Sequence, residues 1–427
     1  MSGATATSDL PRALSKLTPA PGVIKGDYDD FVVEEIPLYS PSGAGTHTYF
    51  LLEKRGLSTM QAVSDIARAL NVSRRDIGYA GLKDARAATR QWMSIEHVEP
   101  ERLQELQIAR MEVLEVNRHT NKLRLGHLVG NRFEIKVRQT QPERLAELQD
   151  GLAKLTRNGV PNYFGQQRFG GRGDAWRSGR EVVRGDLPAA LDIVLGQPSE
   201  LDRGNVRKAR ELYEAGKYPE AAHRWPGMFR DERRALKTLQ KTKGNKKRGF
   251  LAIDRSLRQF YVSAFQSYMF NRVVAERLRS GLGALWVGDL AYRHDNGAVF
   301  LVEDAAVEQP RADAFEISPS GPLFGYRMTE PTGRAAELEA GILEAEGFTR
   351  EEFRGERSRV KGSRRALRFH PGEAKVSLGA DESGPYLELR FVLPRGCYAT
   401  ALLGELFHLK RAGGHVSGDD DTEAVSP

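Results

Sequence analysis

From Gly78 to Ile95 the chain reads Gly-Tyr-Ala-Gly-Leu-Lys-Asp-Ala-Arg-Ala-Ala-Thr-Arg-Gln-Trp-Met-Ser-Ile, and no other stretch constrains the fold as tightly. The small residues Ala80 and Gly81 precede a lone carboxylate, Asp84, with Lys83 beside it, and Gln91 to Ile95 then reads as a strand. Small residues let a ligand or a second stretch of backbone come close. The segment is therefore a tight loop that feeds a strand. An unperturbed aspartate, with a pKa of about 3.9, is ionised at neutral pH and can act as nucleophile or base. The same letters also fit a plain polar turn between two elements.

A length of 427 residues points to two or three domains. No run approaches the roughly 18 apolar residues of a membrane span, and the first residues lack the basic-then-apolar order of a signal peptide. The chain reads as soluble, cytoplasmic and monomeric, with no membrane contact. Cys397 is the single cysteine, so no disulfide forms within the chain; the nine histidines show no zinc-binding spacing. No metal and no cofactor are expected, since a P-loop and a dinucleotide fingerprint are also missing. Net charge is +7, and setting aside Asp419, Asp420, Asp421 and Glu423 of the tail raises it to +11. That surplus suits a polyanionic partner, although it also serves solubility.

Along the chain, residues 1–20 carry few large apolar groups and read as a disordered arm, as do residues 413–427. Phe31–Ile36, Thr46–Glu53, Met111–Val116, Lys122–Leu128, Arg132–Val137 and Tyr386–Leu393 read as strands. Arg118, Lys122, Arg124, Lys136 and Arg138 give this sheet a basic face suited to RNA. Ser58 with Gln61 predicts a capped helix whose apolar stripe is Val63, Ile66, Ala67 and Leu70; Leu145, Leu148, Leu152 and Leu155 mark a second. Residues 171–249 read as helical and basic. They end in a lysine-rich run, Lys237 to Arg248, expected to be either a flexible phosphate-contacting loop or a solvated face. Phe260–Leu278 is apolar nearly all round and reads as a buried helix. A second basic run spans Arg354 to Arg368 and, like the first, is a candidate for the RNA backbone.

Several motifs together resemble the TruD family of tRNA pseudouridine synthases. Gly81, Lys83, Asp84, Thr89 and Gln91 match its Gly-x-Lys-Asp and Thr-x-Gln pattern; Lys25, Asp30, Phe31, Val33 and Glu35 match its Lys-spacer-Asp-Phe-x-Val-x-Glu pattern. Gly130-Asn131-Arg132-Phe133 matches Gly-Asn-x-Phe, the string Gly159 to Gly170 matches the entry to the family's insertion, and Leu393 to Thr400 matches its closing motif. The resemblance implies an α+β fold: a pseudouridine-synthase core with a mixed, mainly antiparallel sheet of RNA-recognition-like halves, plus an inserted α/β TRUD domain. It implies a catalytic domain over residues 21–160 and 385–412, interrupted by the TRUD domain over 161–384. It further implies Asp84 as the catalytic group, Lys25 as its basic partner, Phe133 stacked on the target uracil, Asn131 orienting the Asp84 loop, and Gln91 in support. RNA contacts are expected from Lys83, Arg168, Lys243, Lys246, Lys247, Arg359, Arg364 and Arg365. From the residues alone, Lys25 also fits a solvated strand edge and Phe133 a core position.

The implied reaction turns a uridine, by the resemblance uracil-13 in the D arm of tRNA, into pseudouridine. Three routes stay open for Asp84: attack on the sugar, attack on uracil, or removal of the C2' proton. A catalytically silent RNA-binding or RNA-folding protein using the same cleft is the alternative. A methyltransferase is disfavoured by the lack of a Gly-x-Gly loop after a strand.

Overall fold

The computed structural model describes residues 10–354 and 360–411. They fall into two compact units, one of residues 12–161 with 369–411, the other of the described residues within 162–368 with residues 10–11. The first unit resumes at Phe369, well ahead of the expected residue 385. The cause is a strand that alternation did not reveal: Gly372–Asp381 pairs antiparallel with Gly384–Pro394.

An eight-stranded sheet organises the first unit. Across it run Gly372–Asp381, Gly384–Pro394, Leu128–Val137, Phe31–Pro37, Ala88–Glu96, His47–Arg55 and Met111–His119, and the short Gly78–Tyr79 pairs with Ala88–Glu96. Every pairing is antiparallel except the central one, where Val32, Val33 and Glu34 lie beside Ala88, Thr89 and Arg90 in parallel. Leu387, Leu389, Phe391 and Leu393 are buried in alternation, and Phe133, Ile135 and Val137 of the neighbouring strand join them. Helices Leu145–Asn158 and Ala399–Leu406 share this core. On the other half of the sheet, helix Thr59–Leu70 lays Val63, Ile66 and Leu70 against Phe50, Leu52, Met93 and Ile95. Ser58 caps that helix by accepting from the Gln61 N–H at 3.1 Å, and Asn71 ends it in the left-handed region.

Three expectations change in this unit. Lys122–His127 is a turn rather than a strand, closed by Gly126 at φ +87° with Leu125 exposed. The described part of the arm is ordered: Leu14 and Leu17 are buried, the Glu405 carboxylate accepts the Ala13 and Leu14 N–H groups at 3.0 and 2.9 Å, and Ala20–Ile24 pairs in parallel with Phe407–Arg411. Two leucines were enough to dock a segment whose composition is otherwise thin in apolar groups. The basic sheet face is also reduced, because Lys122 and Arg124 lie in that turn, off the strands, and the cations left on the strands meet acids. Arg118 pairs with Glu99, Lys136 with Asp381, and Arg390 with Glu134 and Glu388. The expected tail, residues 413–427, lies outside the described residues.

The second unit is mostly helical. Helix Arg255–Leu278 buries Phe265, Met269 and Phe270, and Gly179 of helix Ala175–Arg184 lies so close to it that a Cβ would overlap the Tyr261 carbonyl. The lysine-rich run is not a flexible loop, since Arg230–Lys241 and Lys246–Leu251 are helices. A four-stranded antiparallel sheet, Val299–Leu301, Leu290–Arg293, Ile317–Leu323 and Ser363–Ala366, completes the unit.

One arginine fork, buried on its Asp30 side and open to solvent at Asp381, ties the ends of three strands of the large sheet. Arg138 donates to Asp30 at 2.7 and 2.9 Å and to Asp381 at 2.7 and 2.8 Å, with Asp30 only 1% exposed. Hydrogen bonding from Arg138 holds the Asp381 carboxyl well below the usual carboxylate range. A depressed carboxylate contributes stability above its unfolded pKa of about 3.9 and loses it as pH falls toward the folded value. The urea midpoint should therefore drop steadily below about pH 4, and less steeply in Asp381→Asn; equal pH slopes in the two proteins would remove the fork from the account of acid stability.

Candidate active site

Two parallel strands begin at the same end of a sheet, so the loops that lead into them meet. Lys25 stands shortly before Phe31–Pro37 and Asp84 shortly before Ala88–Glu96. Their side chains form an ion pair, with the ammonium 7% and the carboxylate 25% exposed. The Lys25 Nζ also sits 4.4 Å from the centroid of the Phe31 ring. Lys25 has a φ of +60°, a left-handed conformation that costs a non-glycine residue about 1–3 kcal/mol. Glycine would fit that corner with less strain. The turn that follows is fixed by Asp30, which accepts the Asp27 N–H at 3.1 Å while holding Arg138.

The loop carrying Asp84 is anchored to four elements. Lys83 donates its N–H to Thr59 Oγ1 at 2.9 Å, at the start of helix Thr59–Leu70, and Thr59 Oγ1 in turn donates to Gln91 Oε1 at 2.9 Å. Gln91 Nε2 reaches the Gly81 carbonyl at 3.4 Å from strand Ala88–Glu96. Lys54, fully buried on strand His47–Arg55, directs its ammonium to the Leu57 carbonyl and, at 3.4 Å, to that of Asp84. The Lys83 ammonium pairs at 2.5 Å with Glu35 of strand Phe31–Pro37, whose other oxygen accepts the Trp92 N–H at 3.3 Å. Asp84 Oδ1 closes the loop by accepting the Arg86 N–H at 2.9 Å.

Phe133 is 8% exposed, stacked on Phe391 at a centroid separation of 5.2 Å and edge-on to Phe31 at 6.2 Å. It thus belongs to the core and, through Phe31, to the wall beside Lys25. Asn131 lies opposite Glu35 in register, yet makes no hydrogen bond to the Asp84 loop; its Oδ1 is buried and without a partner among the described residues. Lys83, expected at the RNA, is instead a buried structural cation. Burial pushes the Glu35 carboxyl up while Lys83 opposes the rise.

The other expected RNA contacts belong to the second unit, and most are used internally. Arg168 is buried and donates to Ser267 Oγ at 3.1 Å; Arg364 forms a buried pair with Glu339 at 2.7 Å. Arg365 lies over the Phe164 ring and donates to Asn162 at 2.5 Å. Lys246 pairs with Asp192 at 2.7 Å, while Lys243 and Lys247 are exposed. Arg359 is outside the described residues. Basic runs disclose charge but not the acid that meets it. Sequence reasoning passed over Lys54 and Thr59 and had Glu35 only as a motif match without a partner; the signal at Lys54 was a charged residue at an inward-facing position of an apolar strand. Among the described residues, no group of three or more His, Cys, Asp or Glu is placed to hold a metal ion, and no helix is long and apolar enough to cross a membrane.

A mixed sheet with helices on its faces, whose single parallel joint presents a carboxylate against an ammonium, puts the protein in the α+β class. The model of the family tRNA pseudouridine synthase D (TruD) matches residues 12–406. The tRNA pseudouridine synthase D of Geobacter metallireducens is 46% identical over 386 residues, 90% of this chain and 94% of that protein. Its counterpart in Geobacter sulfurreducens is 44% identical over 393 residues, 92% and 95% of the two chains. A crystal structure of a Methanosarcina mazei protein carrying the same family name superposes with a TM-score of 0.80 at 26% identity, covering 95% of this chain and 96% of that one. The chain belongs to the tRNA pseudouridine synthase D (TruD) family.

Breaking a buried ion pair from one side strands a charge and costs about 3–5 kcal/mol, whereas replacing both partners with apolar groups is often neutral. Glu35→Gln is therefore expected to lower urea-unfolding stability far more than Glu35→Leu combined with Lys83→Met. Single and double variants of equal stability would show that the pair is not what fixes the loop.

Proposed function

We propose that this chain isomerises uridine to pseudouridine in tRNA, at uracil-13 of the D arm, with Asp84 as the group that acts on the nucleoside. The observation that carries the reading is the Lys25–Asp84 pair at the mouth of the parallel joint. Support for the class of reaction comes from relatives named tRNA pseudouridine synthase D across nearly the whole chain, and the choice of uracil-13 rests on the family resemblance. A tRNA substrate is consistent with work in the cytoplasm.

The reaction breaks the bond from N1 to C1', turns the freed uracil and joins C5 to C1'. Nothing leaves the molecule and no electrons are exchanged, so the protein must supply one ionised carboxylate, a surface for the loose base and a dry enclosure. Asp84, with a quarter of its side chain exposed, is the accessible member of the pair and acts as nucleophile or base. Lys25 stands in for the water that a closing RNA strips from that carboxylate. The Phe31 and Phe133 rings give the detached base an apolar wall. The family resemblance has Phe133 stack on the target uracil, worth about 1–3 kcal/mol per base; with the ring 8% exposed and packed on Phe391, that stacking requires the ring to open a face as the base enters. The target must first leave its helix, at a cost of a few kcal/mol. The four anchors keep the carboxylate from moving while the base turns, which is preorganisation in the electrostatic sense.

Asp84→Asn preserves shape and removes the charge. Carbodiimide mapping of tRNA treated with this variant should show no pseudouridine, while tRNA affinity changes by no more than about threefold. A wild-type protein that binds tRNA and forms no pseudouridine would favour the silent RNA-binding reading.

A further inference from the structure

Most cations on the strands of the large sheet meet acids, as in the Arg132–Glu34, Arg390–Glu134 and Arg90–Glu53 pairs. Five on the turn before the Asp84 segment and on the two loops bonded to it do not. Arg74, Arg75, Arg124 and Arg395 are exposed and Lys122 is half-buried, and among the described residues none of the five forms an ion pair. The acid nearest in sequence, Asp76, turns back to accept the Ser73 N–H at 3.1 Å.

These residues form one surface because their loops are bonded together. Lys122 donates its ammonium to the Arg75 carbonyl, and Arg395 donates to the Gly126 carbonyl at 3.0 Å. The Gly126 N–H is given to the Ala80 carbonyl at 2.8 Å, and Gly78 and Tyr79 pair with Ser94 and Met93. From Ala80 the chain runs directly into Gly81, Lys83 and Asp84. Interleaved with the cations are Leu125, 55% exposed, and Met60, 39% exposed, the latter in contact with the Tyr79 hydroxyl.

We propose that this surface, built by residues 74–79, 122–126 and Arg395, grips the backbone of the substrate RNA next to the uridine that enters the Asp84 site. The inference rests on the reading of tRNA as substrate. Three features choose RNA over an acidic protein. Four of the five cations are arginines, whose planar forks match phosphate oxygens two at a time. Unpaired guanidinium planes and exposed apolar side chains together suit bases splayed from a helix. The surface also adjoins the site that must receive such a base. Lys122 and Arg395 fasten the loops, leaving Arg74, Arg75 and Arg124 to meet phosphates.

The test compares binding of unmodified tRNA by the full chain with that of two variants. One is Arg74→Ala/Arg75→Ala/Arg124→Ala. The control, Lys154→Ala/Arg157→Ala, removes exposed charge from helix Leu145–Asn158. Each lost phosphate contact lowers the slope of log K against log salt by about 0.7–0.9. The triple variant should lose about 2 from that slope and at least about tenfold in affinity near 150 mM salt, with KM raised and kcat at saturating tRNA kept within about twofold. The control should show neither effect. Triple and control variants that change alike, or a triple variant with low kcat and wild-type affinity, would overturn the proposal. Asp84→Asn separates the two readings: loss of pseudouridine with a normal salt slope bears on the chemistry, and a flattened slope with normal turnover bears on the grip.

Discussion

Everything in the first unit depends on three rungs of parallel pairing, Val32 beside Ala88, Val33 beside Thr89 and Glu34 beside Arg90. The rest of the sheet is antiparallel, and antiparallel neighbours enter from opposite ends. Only at this joint do two incoming loops converge, and those loops hold Lys25 and Asp84. The ion pair is a consequence of topology first and of side-chain chemistry second. Lys83 and Glu35 bridge the same joint from within, so the pairing that creates the site also steadies it.

The way charge is handled explains how one carboxylate stays available. Acids and bases near the joint are numerous, and nearly all are committed: Asp30 to Arg138, Glu35 to Lys83, Glu53 to Arg55 and Arg90. The buried pairs among these, Asp30–Arg138 and Glu35–Lys83, add little net stability, because removing water from two charges offsets most of their attraction. Their effect is geometric, fixing loops that have few apolar contacts of their own. Asp84 differs in keeping part of its carboxylate open to solvent.

What the sequence disclosed follows from the range of the interactions involved. Local periodicity located helix Thr59–Leu70, its Ser58 cap, the alternating strand through Leu387 and Phe391, and the buried helix Arg255–Leu278. These elements are set by neighbours a few residues apart. The motif around Asp84 placed a carboxylate on a loop before a strand, and the structure has it there. Hidden from the sequence were the partners of the charges. Arg364 finds Glu339, Arg138 finds Asp30 and Lys83 finds Glu35 across long stretches of chain, so residues that looked like RNA contacts turned out to be internal fastenings. Strand Gly372–Asp381 was missed for a related reason: one face of it is exposed, and only Val376 among its residues is fully buried. Leu14 and Leu17 show the reverse, two apolar residues in a polar arm that dock because Glu405 caps their turn.

The pairing of Ala20–Ile24 with Phe407–Arg411, and of Leu128–Val137 with Gly384–Pro394, has a bearing on biosynthesis. An emerging chain presents residues 162–368 in full before the strands that complete the large sheet have been made. Helices and the small sheet of that middle segment are thus free to assemble while the Leu128–Val137 strand still lacks one neighbour. Contacts of such wide sequence separation form slowly, and an unpaired strand edge invites association with other chains. Charged residues along that strand, Arg132, Glu134 and Lys136, are the kind that discourage it, so the same side chains that later lace the sheet face protect the nascent protein while it waits for its own C-terminal strands.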